Sequence, residues 1–257
     1  MANIQLNDVT TWYDVHGEGD GEPVLLLHSG FVDSRMFTPV LPFFVGDFRV
    51  YTVDRRGHGR TPDVEGPYSY ETMADDVIAF LDKVVGGPAH LVGHSDGADV
   101  ALLVALKRPD LVRRLVLISG LFHYDGNLPG TLVDFDEQTQ SRMSARHGEV
   151  SPDGEEHFPV IARKVLELAA TEPTLTSEDL RAVTARTLVM GGDDDTVSLE
   201  HTIALYRGIP DSELAIVPGT SHLLVLEKPD AVYSLVAEFL TAQPTPTFMP
   251  VRRATSA

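Results

Sequence analysis

Six short apolar runs alternate along this chain with segments of helical periodicity. Each run is continuous rather than alternating, which is typical of strands in a sheet that helices cover on both faces. The runs occupy residues 24–27, 48–53, 89–92, 115–118, 187–190 and 214–217. Because strands that alternate with helices are joined by right-handed crossovers, the pattern predicts a mainly parallel α/β sheet. Residues 4–8 and 11–16 predict an opening hairpin.

One long segment interrupts this alternation. Residues 121–185 contain helical patterns, at 158–170 and 177–183, but no strand pattern. A segment of this length between two strands is too long for a loop and too short for a domain. We therefore predict a helical lid over residues 121–184, inserted into a core formed by residues 1–120 and 185–242. The Pro- and Thr-rich residues 243–257 predict a disordered tail.

Composition limits the function classes that remain. The chain has 257 residues, no cysteine and a net charge of −18. The absence of cysteine excludes disulfides, thiolate metal sites and a cysteine nucleophile. Because a strongly acidic surface repels nucleic acid and anionic lipid, neither is an expected partner. With no signal-peptide pattern or membrane-length apolar run, we expect a cytoplasmic protein that acts on a small molecule. The sequence does not indicate an oligomeric state.

The turn after the third apolar run has a distinctive sequence. Gly93-His94-Ser95-Asp96-Gly97 separates this predicted strand from a helical pattern at residues 98–106. A sharp strand-to-helix turn exposes its central side chain, and the two glycines avoid the clashes that β-carbons would cause. The start of the helix also brings backbone N–H groups close to Ser95, where an oxyanion would form. The pattern predicts that Ser95 is a nucleophile.

Two other polar clusters follow later strands at the same predicted edge of the sheet. Residues 193–195 are three consecutive aspartates, and His222 follows the last strand. Ligands bind at the carboxyl ends of strands in open α/β sheets. We predict that Ser95 attacks, His222 transfers the proton and Asp195 orients the imidazole. Asp194 remains an alternative acid, since the three aspartates are adjacent and the two that do not serve as the acid could cap the helix near Ser198.

Five motifs in this order resemble the α/β-hydrolase superfamily over nearly the whole chain. They are His28-Ser29-Gly30, Asp54-Arg55-Arg56-Gly57-His58-Gly59, Gly93-His94-Ser95-Asp96-Gly97, Gly192-Asp193-Asp194-Asp195 and Gly219-Thr220-Ser221-His222. The resemblance implies the α/β-hydrolase fold, with eight strands, the second antiparallel, helices on both faces and a lid after the sixth strand. Its Gly-x-x-Asp spacing favours Asp195 over Asp194.

The resemblance also implies an oxyanion hole. One donor would be the backbone N–H of Asp96, directly after the nucleophile. The second would come from the loop after residues 24–27, where Gly30 is the first choice and Phe31 the next. The family usually has His-Gly where this chain has His28-Ser29. Phe31 is also a predicted substrate contact.

Asp96 has two interpretations. Its carboxylate would attract a cationic substrate group and repel an anionic one. The Gly-x-Ser-Asp-Gly sequence resembles the elbow of valacyclovir-hydrolase-like enzymes, which implies an acidic group that meets a substrate amine. Alternatively, Asp96 only places a favourable negative charge in the first turn of a helix.

These residues predict a serine hydrolase that acts on a small ester, lactone or related acyl compound through an acyl-enzyme. No cofactor is expected. No spacing among the histidines supports a metal site, and His28, His58 and His94 are interpreted as structural. Carbon–carbon bond hydrolases, thioesterases and perhydrolases share the same triad and remain alternatives. A ligand-binding protein with little turnover is the alternative from another class.

Overall fold

The parallel sheet predicted from the apolar runs forms the centre of the molecule. The structure is a computed structural model and describes residues 1–17, 20–131, 136–243 and 247–250. Within these residues, one eight-stranded sheet has the order β1-β2-β4-β3-β5-β6-β7-β8. The strands are β1 (Ala2–Leu6), β2 (Val9–His16), β3 (Glu22–Leu27), β4 (Phe48–Val53), β5 (Ala89–His94), β6 (Val112–Ile118), β7 (Arg186–Asp194) and β8 (Ser212–Ser221).

Only one of these strands runs against the others. β2 pairs antiparallel with both β1 and β4, whereas every other pair of neighbours in this sheet is parallel. The mostly parallel eight-stranded sheet is therefore confirmed, including the antiparallel second strand. Each apolar run lies within a strand, and the runs in β3, β5, β6 and β7 are buried throughout. In the edge strand β8, Leu214 is exposed.

Seven α-helices are present in the described part of the chain. They are α1 (Tyr70–Phe80), α2 (Asp96–Lys107), α3 (Glu137–Gly148), α4 (Phe158–Ala169), α5 (Leu199–Gly208), α6 (Leu224–Glu227) and α7 (Pro229–Thr241). Successive β3 side chains point to opposite faces, so Leu25 packs in a cluster with α1, α2 and α5. Val24 and Leu26 pack in the cluster that contains α7. Both faces are covered, as continuous apolar strands require.

The segment between β6 and β7 is helical. It carries α3 and α4, and the buried residues of α4 lie at spacings of three and four residues, namely Phe158, Ile161, Ala162, Val165 and Leu168. This stripe packs α4 against the core cluster on the α1 and α2 side of the sheet.

Three local features differ from the sequence prediction. Residues 177–183, predicted as a helix, contain only a short 3₁₀ turn at Asp179–Ala182. Helix α3 was not predicted, nor was the 3₁₀ helix at Ser34–Phe43, which contains Pro39 and Pro42. Of the tail predicted to be disordered, residues 244–246 and 251–257 lie outside the described residues.

Within the described residues, no helix combines the length and the apolar character needed to cross a bilayer.

Candidate active site

Polar side chains from four strand ends meet at the carboxyl edge of the sheet. Ser95 follows β5, Ser119 follows β6, Asp195 follows β7 and His222 follows β8. These four strands are consecutive parallel neighbours in the sheet, in the order β5-β6-β7-β8. The topology therefore brings together residues that are distant in sequence.

The turn at Ser95 has the strained geometry that a strand-to-helix elbow requires. Ser95 has φ 54° and ψ −126°, outside the regions that most L-residues occupy. Its N–H donates to the carbonyl of Ile118 at 2.8 Å, which fixes the turn against β6. A β-carbon at Gly97 would collide with the carbonyl of Leu27, and one at Gly93 would collide with the carbonyl of Gly97. Glycine is therefore needed at both positions.

The structure brings Ser95, His222 and Asp195 into one hydrogen-bonded line. Ser95 Oγ lies 2.9 Å from His222 Nε2. His222 Nδ1 lies 2.8 Å from Asp195 Oδ1. With the Nδ1–H tautomer, the imidazole donates to the carboxylate and accepts the serine proton.

The two neighbouring aspartates point elsewhere. Asp193 Oδ1 accepts the N–H of Thr220 at 3.1 Å. Asp194 lies in β7, opposite Ser221 in β8, and is exposed. Ser198, rather than any of the three aspartates, caps α5 through the N–H of His201. Asp195 is thus the aspartate of this run that contacts His222.

Both oxygens of the Asp195 carboxylate accept several hydrogen bonds. Oδ1 also accepts the N–H of Val197 at 3.1 Å, while Oδ2 accepts the Ser119 hydroxyl at 2.5 Å and the N–H of Gly192 at 3.3 Å. Burial raises the pKa of Asp195, but the hydrogen bonds and charge of His222 and the Ser119 hydroxyl together lower it to about 2. The carboxylate is therefore ionised at neutral pH.

His94 supports the loop that carries His222. Its Nε2 lies 2.9 Å from the backbone oxygen of His222. Since a carbonyl oxygen can only accept, Nε2 carries the proton. Burial, with a smaller effect from His222, lowers the pKa of His94 to about 3, so the ring is neutral at physiological pH. The structure thus gives this histidine a contact that fits the structural role expected from sequence.

Ser95 and His222 open into a cavity of ≈ 160 Å³. Its lining combines the sheet edge with α4 and the start of the inserted segment. The lining residues are Phe31, Tyr70, Ser95, Asp96, Asp99, Ser119, Leu121, Asn127, Thr131, Val165, Ala169, Thr196, Val197 and His222. None of these described lining residues is a lysine or arginine, and two are aspartates.

The two aspartates lie one helical turn apart at the start of α2. Asp96 is 7% exposed, and its Oδ2 has no hydrogen-bond partner among the described residues. Burial raises the pKa of Asp96, whereas Arg55 and Tyr70 oppose that shift. Asp99 Oδ1 accepts the N–H of Leu121 at 2.6 Å, and burial raises the pKa of Asp99 well above its usual range. This wall of the cavity therefore carries two buried carboxyl groups, and burial favours the uncharged form of each.

The residues predicted for an oxyanion hole lie beside this wall. Asp96 is the first residue of α2, so its N–H is one of the unpaired donors at a helix N-terminus. A β-carbon at Gly30 would lie 2.7 Å from Asp96 Oδ2, which shows how closely the two chain segments approach. Phe31, with φ 63°, lines the cavity.

His28 and His58 contact groups of the backbone. Among the described residues there is no group of three or more His, Asp or Glu side chains arranged to hold a metal ion. His28 accepts the N–H of Arg55, and His58 contacts the backbone oxygen of Arg56. These contacts agree with the structural role expected of both histidines.

Among the cavity residues that the sequence did not predict are Tyr70, Asp99 and Ser119. Asp99 follows Asp96 by three residues on a helix, which is the spacing that places two side chains on one face. Ser119 directly follows a buried strand, as Ser95 does. Both signals are present in the sequence. Tyr70 has no comparable signal, because its position depends on how α1 packs.

The chain is similar to known hydrolases. Residues 24–235 match the model of the alpha/beta hydrolase family. A protein of Agrobacterium fabrum that carries the name carbamate hydrolase RutD is 28% identical over 253 residues, which cover 89% of this chain and 97% of that one. The 2-hydroxymuconate semialdehyde hydrolase of Pseudomonas putida is 27% identical, with coverage of 88% and 90%. A hydrolase from Pseudomonas aeruginosa PA01, known from its crystal structure, is 26% identical in sequence. The two structures superpose with a TM-score of 0.76 over 94% of this chain and 98% of that one.

Proposed function

Because the chain belongs to the alpha/beta hydrolase family, we propose that it is a serine hydrolase that cleaves small esters, lactones or related acyl compounds. The observation that carries this proposal is the unbroken line from Ser95 through His222 to Asp195, which opens into a cavity. Because members of one hydrolase family act on many different substrates, the acyl compound that this protein prefers depends on the residues of its own site.

The reaction begins when Ser95 Oγ attacks the substrate carbonyl and His222 Nε2 takes its proton. Asp195 stabilises the imidazolium that forms, and its ionised state suits that role. The N–H groups of Asp96 and Gly30 stabilise the oxyanion of the tetrahedral intermediate. His222 then protonates the leaving group, and a water molecule that His222 deprotonates releases the acid from Ser95. This chemistry uses only groups of the protein and water.

Residues 121–184 act as the lid in this proposal. Leu121, Asn127, Val165 and Ala169 come from this segment and line the cavity beside Ser95. Together with Phe31, the side chains of Leu121, Val165 and Ala169 present an apolar surface to the acyl group, while the core supplies the reacting groups. The insert is therefore assigned the selection of the acyl group by its shape and apolar character.

The wall formed by the Asp96 and Asp99 carboxyl groups favours neutral or cationic substrates. Asp96 and Asp99 line the cavity with no lysine or arginine among the described lining residues. An ammonium group of a substrate would stabilise the ionised form of these carboxyls and find the unpartnered Oδ2 of Asp96, whereas a substrate carboxylate would stabilise neither. The names of two relatives refer to succinate and hydroxymuconate compounds, which carry carboxylates. This difference argues for an uncharged or amine-bearing ester over the acidic substrates of a carbon–carbon bond hydrolase.

A fluorophosphonate probe tests the proposal. The wild-type protein should be labelled and should hydrolyse p-nitrophenyl esters, and Ser95→Ala should abolish both. His222→Ala and Asp195→Asn should each lower kcat by about 10³-fold or more. Asp194→Asn, the matched control in the same run of aspartates, should retain wild-type activity. A folded wild-type protein that is neither labelled nor active on any ester would instead favour a ligand-binding function.

A further inference from the structure

Ser119 contacts the triad from the side opposite His222. Its hydroxyl donates to Asp195 Oδ2 at 2.5 Å, whereas His222 contacts Oδ1 of the same carboxylate at 2.8 Å. Ser119 is 2% exposed, so water does not compete effectively for this bond. Ser95, His222, Asp195 and Ser119 thus form one continuous line of hydrogen bonds.

The hydroxyl restricts rotation of the carboxylate. An aspartate can turn about its last side-chain bond, and such a turn would move Oδ1 away from His222 Nδ1. Oδ2 also accepts the N–H of Gly192, but that bond is longer, at 3.3 Å. Ser119 is therefore the stronger of the two restraints on Oδ2.

The backbone of Ser119 is in an unfavourable conformation for serine. Its φ is 50°, in the left-handed region where glycine has the advantage. Its N–H donates to the carbonyl of Met190, which fixes the residue between β6 and β7. Ser95, at the end of the adjacent strand β5, also has a positive φ, 54°. Strain of this kind persists where the neighbouring structure enforces it, often at functional sites.

We propose that Ser119 is a positioning residue of the hydrolytic reaction. Its hydroxyl holds Asp195 so that Oδ1 faces His222, and it acts on the substrate only through these two residues. This inference rests on the proposed function of the triad. It adds a residue to that function, and it can fail while the triad itself stands.

Three substitutions separate the hydroxyl from the backbone strain. Ser119→Ala removes the donor and keeps the strain, whereas Ser119→Gly removes the donor and relieves the strain. Ser119→Cys keeps the shape and supplies only a weak donor. We expect Ala and Gly to lower kcat equally, by about 10-fold, with KM unchanged, because a hydrogen bond to a charged group is lost. Cys should give an intermediate kcat, and Gly should unfold at a higher temperature than Ala.

A spectroscopic measurement tests the same contact without turnover. The proton on His222 Nδ1 should give a downfield ¹H NMR resonance in the wild type that disappears in Asp195→Asn. In Ser119→Ala this resonance should broaden through faster exchange with solvent. The proposal is overturned if Ala keeps wild-type kcat and an unchanged resonance, or if Gly recovers the activity that Ala loses. Loss of activity in Ser119→Ala through KM alone would also overturn it. Failure of the triad is recognised separately, by ester hydrolysis that survives Ser95→Ala.

Discussion

The ammonium of Lys164 in α4 lies 2.8 Å from the carboxylate of Asp63, on the loop that follows β4. The two side chains are only 12% and 10% exposed. Asp63 also accepts hydrogen bonds from His157 Nε2 at 2.9 Å and from the Tyr68 hydroxyl at 2.7 Å. One carboxylate therefore joins the inserted segment, through Lys164 and His157, to the core.

Removal of the Asp63 carboxylate should weaken the attachment of α4 to the core. Burial raises the pKa of Asp63, but the hydrogen bonds from Lys164, His157 and Tyr68 lower it overall, so the group is ionised at neutral pH. Asp63→Asn leaves Lys164 without its counter-charge in a largely buried site, and should reduce the free energy of unfolding by about 3 kcal/mol. Because Val165 and Ala169 of α4 line the cavity, KM for esters should also rise.

Urea denaturation and ester kinetics measure the two effects. Glu156→Gln is the matched control, since it removes an exposed carboxylate close to His157. If Asp63→Asn were as stable as this control, the carboxylate would not be what fastens α4 to the core.

The ionised state of Asp195 also predicts how stability depends on pH. The pKa of this group falls from 3.8 to about 2 on folding. A lowered folded pKa contributes stability that is complete above the unfolded pKa and is lost as the pH falls toward the folded one. The shift corresponds to about 2 kcal/mol. The difference in unfolding free energy between wild type and Asp195→Asn should therefore shrink by this amount between pH 6 and pH 2.

The comparison is made by urea denaturation of both proteins at several pH values. Asp194→Asn provides the control, because Asp194 is exposed and does not contact His222. The free energy of unfolding of Asp194→Asn should change with pH by the same amount as that of the wild type. A constant difference between wild type and Asp195→Asn would contradict the assigned shift.

The sheet and the proximity of Ser95, Asp195 and His222 could be predicted because they depend on local patterns. Continuous apolar runs are visible in any window, and each run is followed directly by the polar residues that the parallel topology gathers at one edge. The sequence spacing that favoured Asp195 over Asp194 agrees with the contact between Asp195 and His222.

Elements without an apolar stripe were not predictable in this way. Within helix α3, only His147 is buried. The sequence of this helix therefore has almost no apolar periodicity. The pattern at residues 177–183 resembled a helix start, but the segment ends after one 3₁₀ turn. The contact between Asp63 and Lys164 joins residues about a hundred positions apart, and no local pattern encodes such a pair.

The carboxyl groups of Asp96 and Asp99 should make turnover depend on substrate charge. Asp96 Oδ2 is buried in the cavity wall without a partner among the described residues, and Asp99 lies in the same wall. Three p-nitrophenyl esters of equal length test this wall, ending in a methyl, an ammonium or a carboxylate group. At pH 8 the wild type should prefer the ammonium ester and reject the carboxylate ester. Asp96→Asn should lower kcat/KM for the ammonium ester about 10-fold relative to the methyl ester, since a charged hydrogen bond is lost.

Asp47→Asn supplies the control for net charge, because it removes one exposed negative charge outside the cavity. It should leave the ratio between the three esters unchanged. The relative rate for the carboxylate ester should rise in Asp96→Asn, since the amide cannot take the ionised form that repels a carboxylate, and the helix N-terminus is kept. Equal changes for all three esters would mean that the carboxylate of Asp96 does not meet the substrate, and that its role is limited to the first turn of α2.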